Sequence, residues 1–292
     1  MKETLESAAD AFEPNRGRLF GIAYRMLGSP AEAEDVVQEA YVRWHQSDRT
    51  AIRNSEAWLV TTATRLAIDR LRALKTERDA YVGPWLPEPM VHDTPPPPDR
   101  CLELASDLSL AFLALLERLG PEERAAFLLH EVFEVDYAEI GAILGKNEDA
   151  CRQTVHRART RVRSDRKRFE VTEAAKANLL RKFTEALDAR DEKTLLTLFA
   201  QDATWTADGG GRAAATPRPI VGGDRIVRLV LGLRKYLQSD TTMELVDVNG
   251  ETGLCVRADG QIIAVMSILS DGQRIHALYA VVNPDKLLGA RP

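Results

Sequence analysis

The chain has 292 residues, 45% of them hydrophobic and 28% charged, with a net charge of -5. That length exceeds one ordinary core and accommodates two or three small domains of average globular composition. No apolar run approaches the roughly 20 residues that span a bilayer, the start MKETLESAAD lacks a signal peptide's basic and apolar regions, and Cys101, Cys151 and Cys255 lack disulfide-framework or zinc spacing. The expectation is a cytoplasmic protein with reduced thiols, away from any membrane, using no metal or cofactor.

The first block, to about Lys75, reads as helical. In SPAEAEDVVQEAYVRWHQ, Ser29 can cap, Pro30 takes the first helical position and Glu32 completes an S-x-x-E box. Ala33, Val36, Val37, Ala40, Tyr41 and Trp44 then recur at three- and four-residue steps, one apolar face. A second helix follows Asn54 and Ser55, with Leu59, Ala63, Leu66, Ala67, Leu71 and Leu74 inward and Arg65, Asp69 and Arg72 outward. From about Thr76 to Ser106 the pattern breaks, and Pro95 to Pro98 favour an extended polyproline segment.

A third block, from about Asp107 to Glu170, is helical again. LSLAFLALLERLGPEER points Leu108, Phe112, Leu115 and Leu119 inward, stops at Gly120 and restarts at Pro121. DYAEIGAILG opens with Asp136 and Glu139 at capping-box spacing, ends at Gly145, and passes through Lys146 and Asn147 into another helix. Helix, short turn, helix is the arrangement whose second member enters a DNA major groove. On that member Cys151, Val155, Ala158 and Val162 share one stripe, while Asp149, Gln153, His156 and Thr160 point away between Arg152 and Arg157. Arg and Gln can read base edges. From Arg152 to Arg168 eight basic residues (Arg152, Arg157, Arg159, Arg161, Arg163, Arg166, Lys167, Arg168) stand against Asp165 alone, a footprint suited to phosphates. A solvated helix end is the plainer reading of the charge by itself.

Beyond Glu170 two helices (Leu179, Leu180, Phe183, Leu187; then Leu195, Leu198, Phe199) precede ATWTAD, a third helix around DRIVRLVLGLRKYL, and four candidate strands. The strands MELVDVNG, TGLCVRA, QIIAVMSIL and RIHALYAVVN are separated by NG and DG turn signals, which makes this block α+β.

GRLFGIAYRMLGSPAEAEDVVQEAYVRWHQ with SEAWLVTTATRLAIDRLRALK resembles region 2 of bacterial sigma factors of the extracytoplasmic-function group, and LERLGPEERAAFLLHEVFEVDYAEIGAILGKNEDACRQTVHRARTRVR resembles their region 4. The resemblance implies region 2 at 1–76, a linker at 77–106 and region 4 at 107–170. It implies that Asp35, Val36, Gln38, Glu39 and Trp44 lie on the helix that clasps core RNA polymerase. It further implies that the loop carrying Arg49, Arg53 and Asn54, with Asp69 and Arg72, meets the minus-10 element of promoter DNA, and that Arg152, Gln153, His156, Arg157 and Arg159 meet the minus-35 element. The singular charges Asp69 and Arg72 also fit an ordinary helix surface.

The remaining 171–292 resembles a SnoaL-like domain, a cone-shaped α+β fold. One branch of the group carries WLPEP in the linker, DGGGK in the extension and NPDKL near the end. This chain has Trp85-Leu86-Pro87-Glu88-Pro89 and Asn283-Pro284-Asp285-Lys286-Leu287 intact, and Asp208-Gly209-Gly210-Gly211-Arg212 with Arg in place of Lys. A point charge thereby becomes a planar fork. Because prolines pre-order an extended peptide, Trp85 and Leu86 are expected to pack on the C-terminal domain, with the glycine loop supplying backbone donors near Glu88 or a neighbouring acid; three glycines allow close backbone approach, and a plain flexible loop is the simpler reading of them. The expected function is a sigma factor regulated in cis by its C-terminal domain. A conventional helix-turn-helix regulator with an effector domain that senses a small ligand is the alternative. Catalysis would need an acid paired with a base, and His276 and Asp202 qualify by residue type alone.

Overall fold

Ser29 caps a helix as its spacing predicts: in the computed structural model its hydroxyl accepts from the Glu32 amide at 3.5 Å, and Pro30 opens the helix. The structure describes residues 2–94, 108–163, 171–237 and 240–288. Cys101, the Pro95 to Pro98 run, Asp165, Arg166, Lys167 and Arg168 lie outside them. The chain forms two units, Met1–Asp79 with Leu115–Arg166, and Ala80–Ala114 with Lys167–Pro292.

In the first unit, α1 (Lys2–Leu27), α2 (Pro30–Gln46) and α3 (Ser55–Asp79) pack on one another. The predicted stripe of α2 is buried at Ala33, Val36, Val37, Ala40 and Trp44, with Tyr41 half-buried, and Trp44 lies against Trp58 with ring centres 5.4 Å apart. Helix α3 buries Leu59, Val60, Ala63, Ala67, Ile68 and Leu71 and runs on to Asp79, four residues past the expected end. Leu66 and Leu74 are only half-buried. Helices α5 (Pro121–Glu131), α6 (Tyr137–Leu144) and α7 (Glu148–Arg163) complete this unit. The helix between the linker and α5, α4 (Leu110–Leu116), starts later than the sequence suggests. Leu108 precedes it, so the phase shifts: Leu110, Leu113 and Leu116 are buried, while Leu108 and Leu115 are half-exposed.

The second unit is α+β. It contains β1 (Val91–His92), α8 (Glu173–Asp188), α9 (Glu192–Leu198), β2 (Phe199–Asp208), β3 (Ile220–Val221), α10 (Gly223–Arg234), β4 (Thr242–Val248), β5 (Glu251–Ala258), β6 (Gln261–Ser270), β7 (Ile275–Val281) and α11 (Pro284–Leu287). The sheet order is β1-β4-β5-β6-β7-β2-β3, with β2 parallel to β7 and the other pairs antiparallel. Alternation along the strands divides the apolar residues between two faces. One face carries Leu245, Leu254, Ile268 and Leu278 and is filled by Leu179, Phe183, Leu195 and Ile226 from the helices. The other carries Val246, Cys255, Val265 and Val281. It is covered by Leu86 and Val91 of the linker, Leu110 of α4 and Leu287 of α11.

The segment read from sequence as a spacer is therefore part of this domain. Val91 pairs with Val248 and His92 with Asp247, which makes the linker the edge strand. Asn249, in the β4–β5 turn, accepts from the Met90 amide at 2.9 Å and donates to the Leu108 carbonyl at 2.9 Å, fixing the linker on both sides. Each large aliphatic side chain buried here contributes about 1.5–3 kcal/mol relative to exposure.

The start of α8 is fixed to the same hairpin. Glu173 accepts from the Thr252 amide at 2.6 Å and from its hydroxyl at 2.5 Å, and Lys176 meets Glu251 at 2.6 Å with both side chains buried. Lys176→Ala strands the Glu251 carboxylate in a dry site, and the unfolding free energy should fall by about 3–5 kcal/mol. Urea titration of the full chain, followed through the second unit, measures it.

Candidate nucleic-acid interface and linker dock

Asp136 caps α6, its carboxylate accepting from the Glu139 amide at 2.7 Å, and α6 ends at Gly145 in the left-handed region. Asn147 then caps α7 by accepting from the Ala150 amide at 2.8 Å. Two caps three residues around one turn set the angle between the helices. Cys151, Val155, Ala158 and Val162 are buried as expected, and Thr154 joins them. Asp149, Arg152, Gln153, His156, Arg157 and Thr160 are exposed together on the opposite side. Arg159 is half-buried and ion-paired with Glu131 of α5; that hydrogen bond, outweighing partial desolvation, raises the guanidinium's pKa. It therefore belongs to the flank of the helix. Arg161 pairs with Glu123 at 2.7 Å.

The expected polymerase-facing set divides. Asp35, Gln38 and Glu39 are exposed on α2, with Val42 beside them 45% exposed, whereas Val36 and Trp44 are buried in the helical core. In the loop before α3, Arg53 and Asn54 are exposed, but the Asn54 side chain accepts from the Ala57 amide at 3.0 Å and so caps α3. On α3, Asp69 is exposed and bonded to Arg72 at 3.1 Å. Arg72 also meets Glu122 at 2.5 Å, and Glu122 meets Lys146 in the α6–α7 turn at 2.5 Å. The two cations draw the Glu122 carboxyl below its ordinary pKa, the Lys146 hydrogen bond first, against partial burial. Arg65 donates to the Ile143 and Ala142 carbonyls at 2.9 Å each, at the C-terminal end of α6. The basic side of α3 is thus held against the helix-turn-helix.

In the second unit the linker motif is gripped at a peptide group. Asp208 is fully buried; one carboxylate oxygen accepts from the Tyr81 hydroxyl at 2.6 Å, and the other from the Leu86 amide and the Lys286 ammonium, each at 2.7 Å. Lys286 also donates to the Leu86 carbonyl at 2.5 Å and lies 3.9 Å from the Trp85 ring centre. Both polar groups of Leu86 are therefore bound by one ion pair. Burial, then the hydrogen bond to the Asp208 carboxylate, pushes the Tyr81 phenol well above its usual pKa.

Two expectations are corrected here. Leu86, 2% exposed, is the buried anchor, whereas Trp85 is half-buried and lies over the Lys286 ammonium as a cation–π partner. Pro87 is buried and Glu88 half-buried. The polarity is also reversed: the linker amide donates and the domain's carboxylate accepts. The glycines serve close approach, since at Gly210, with φ +56, a Cβ would lie 2.3 Å from the Asn283 amide nitrogen and 2.7 Å from the Tyr81 hydroxyl. Gly209 and Gly211 complete the turn, and exposed Arg212 pairs with Asp285 at 3.2 Å. Asn283 caps α11 by accepting from the Asp285 amide and donates to the Tyr81 hydroxyl at 2.8 Å, with Pro284 the first helical residue.

Of the residues considered for catalysis, Asp202 is exposed on β2, and His276 meets Asp271 at 2.9 Å across the β6–β7 turn. Burial raises the Asp271 pKa, but the His276 bond and the Arg274 and Gln273 amides outweigh it and hold it at about 2. The pair closes a turn. A shallow groove of about 250 Å³ between α8 and α9 is lined by Lys182, Glu185 and Asp191, with Ala186 of the core at its base.

Comparison with known proteins matches residues 11–77 to the Sigma-70 region 2 family and residues 109–162 to the Sigma-70, region 4 family. The chain is 36% identical over 292 aligned residues to the ECF RNA polymerase sigma factor SigJ of Mycobacterium tuberculosis, covering 96% of this chain and 93% of that one. It is 29% identical to the probable ECF RNA polymerase sigma factor SigI of the same species, covering 95% and 93%. The crystal structure of the M. tuberculosis extracytoplasmic function sigma factor SigJ superposes with a TM-score of 0.76 at 35% identity, over 97% of this chain and 99% of that one.

Asp208→Ala leaves the Lys286 ammonium buried without its counter-charge and should cost about 3–5 kcal/mol, against about 2–5 for Leu86→Ala. Trp85→Ala should cost less than either, in the same urea titration. The Asp271 carboxyl is held below its unfolded value of 3.8, so its stabilisation is complete above about pH 4 and is lost as pH falls towards about 2. Asp271→Asn should flatten that part of the curve of thermal midpoint against pH.

Proposed function

The chain belongs to the extracytoplasmic-function RNA polymerase sigma factors, which direct promoter recognition and transcription initiation, and from that premise we propose how its surfaces divide the work. Helix α7 lies in the major groove of the minus-35 element, with Arg152, Gln153, His156 and Arg157 towards base edges. Asp35, Gln38 and Glu39 on α2, around the exposed Val42, form the contact with core polymerase. Arg53, Asp69 and Arg72 meet the minus-10 element. Work at RNA polymerase takes place in the cytoplasm, and among the described residues no helix is long and apolar enough to cross a membrane.

The C-terminal domain regulates these regions in cis by fixing the linker between them. The observation that carries this reading is the double hold on the Leu86 peptide by Asp208 and Lys286. A domain that merely accompanied the sigma regions would have no reason to build a buried ion pair around the chain that joins them. An effector-domain regulator of the conventional kind is disfavoured by the region 2 match, because such a protein has no use for a polymerase-clasping helix.

Arg65 and Arg72 are engaged with region 4. Elements about 25 base pairs apart lie roughly 85 Å apart at about 3.4 Å per base pair, so promoter engagement requires regions 2 and 4 to separate. Run-off transcription with core polymerase tests the scheme. Ending the chain before Asp285 removes Lys286 and should raise output several-fold; ending it near Glu170 removes the sheet face on which Leu86 and Leu110 rest, leaves those side chains uncovered and should abolish output. Unchanged output from both truncations would rule out regulation in cis.

A further inference from the structure

Arg152 stands at the edge of the exposed face of α7, and what holds it there is an aromatic ring from the preceding helix. Its guanidinium carbon lies 4.6 Å from the centre of the Tyr137 ring, and the same guanidinium meets Glu148 at 2.5 Å. Tyr137 is itself fixed. As the first residue of α6 it follows the Asp136 cap, and it stacks on His130 of α5 with ring centres 4.1 Å apart and planes 29° apart. Glu131, the residue after His130 on α5, holds Arg159 of α7. Arg152 and Arg159 are seven residues apart, two turns of α7, so the Tyr137 ring and the Glu131 carboxylate line one flank of the helix.

A long side chain that reads a base edge in two-pronged fashion loses rotamer freedom when it does so, and an arginine already stacked on an aromatic face has less to lose. We propose that Tyr137 is a positioning residue for promoter specificity: its ring presents the Arg152 guanidinium towards a guanine edge in the minus-35 element. This rests on the reading that α7 occupies that groove. The chemistry fits guanine because the acceptor pair O6 and N7 matches the guanidinium fork. Tyr137 stands outside the outward set of α7 that sequence reasoning singled out, since it belongs to the neighbouring helix.

The test is run-off transcription by the full chain with core polymerase from a promoter library randomised at the minus-35 element, followed by sequencing of the transcripts' templates. Arg152→Ala should relax the base preference at one position. Tyr137→Leu should relax the same position on the order of two- to fivefold, the effect of an exposed cation–π contact, and leave the other positions and the thermal midpoint as in the parent. Tyr137→Phe, which keeps the ring, should retain the preference. A Tyr137→Leu profile identical to the parent's, or a loss spread evenly over all positions, overturns the proposal, as does a Tyr137→Phe protein that behaves like Tyr137→Leu. Where Tyr137→Leu lowers the thermal midpoint, Phe and Trp at this position carry the test: preference retained by both supports the proposal, and preference lost by either overturns it. If Arg152→Ala itself shifts no base preference, the assignment of Arg152 to the groove fails first, and the role of Tyr137 falls with it.

Discussion

Taking an aspartate and a lysine out of water together costs several kcal/mol per ion before their attraction is counted, and Asp208 and Lys286 are both buried. The cost is offset because their polar atoms are used. The carboxylate receives the Tyr81 hydroxyl, the Leu86 amide and the ammonium, and the ammonium reaches the Leu86 carbonyl and the Trp85 ring. Two of those partners belong to the backbone of one linker residue. The pair is satisfied only while the linker is seated, so a segment that composition marks as a solvated spacer becomes part of the domain's interior. The same dependence explains the edge strand at Val91 and the position of Leu86 on the sheet, since a peptide held at Leu86 leaves the next residues little choice of path.

Much of this was legible from sequence, and the limits have physical causes. The two helical bodies and the four long strands announce themselves by period, as at Val36–Val37–Ala40–Trp44 or MELVDV, because packing against one core imposes that repeat. The stripe of α7 was legible for the same reason. What escaped was set by tertiary contact. Two-residue strands such as Val91–His92 and Ile220–Val221 are too short for any period. The phase of α4 depended on whether Leu108 or Leu110 lies first in the helix. Motif matching found WLPEP, DGGGR and NPDKL as partners, yet sequence alone gave the glycines the donor role. The residue types were uninformative on that point, because a backbone amide and a carboxylate can meet from either direction, and only Asp208 at zero exposure shows which one does.

The candidate site divides in the same way. Gln153, His156 and Arg157 follow from the angle of one helix and needed no neighbours. Val36 and Trp44 sat in the right motif but on its inner side, so a matched position marks a helix and only burial tells which of its residues can touch a partner. Arg159 shows the reverse: charge and spacing suited a phosphate, and Glu131 already holds it. Tyr137 was invisible because its part in the surface is exercised through Arg152, a contact between helices that no spacing rule encodes.

Arg72, Glu122 and Lys146 join the two levels of the molecule. Arg72 belongs to the set proposed for the minus-10 element and Lys146 to the turn that leads into α7, and a single carboxylate lies between them at 2.5 Å from each. Being partly exposed, these ion pairs contribute little to stability, about 0–1 kcal/mol each, and weaken as salt rises. A promoter offers phosphates to the same cations with the added gain of counterion release. On the proposed reading, Glu122 therefore occupies the place of a phosphate, weakly enough to be displaced by DNA. The firm hold lies elsewhere, in the desolvated pair on the linker, whose energy depends little on salt. A weak latch that DNA can open and a strong one that it cannot reach would let promoter binding and regulation in cis act on the same two regions without competing for the same contacts.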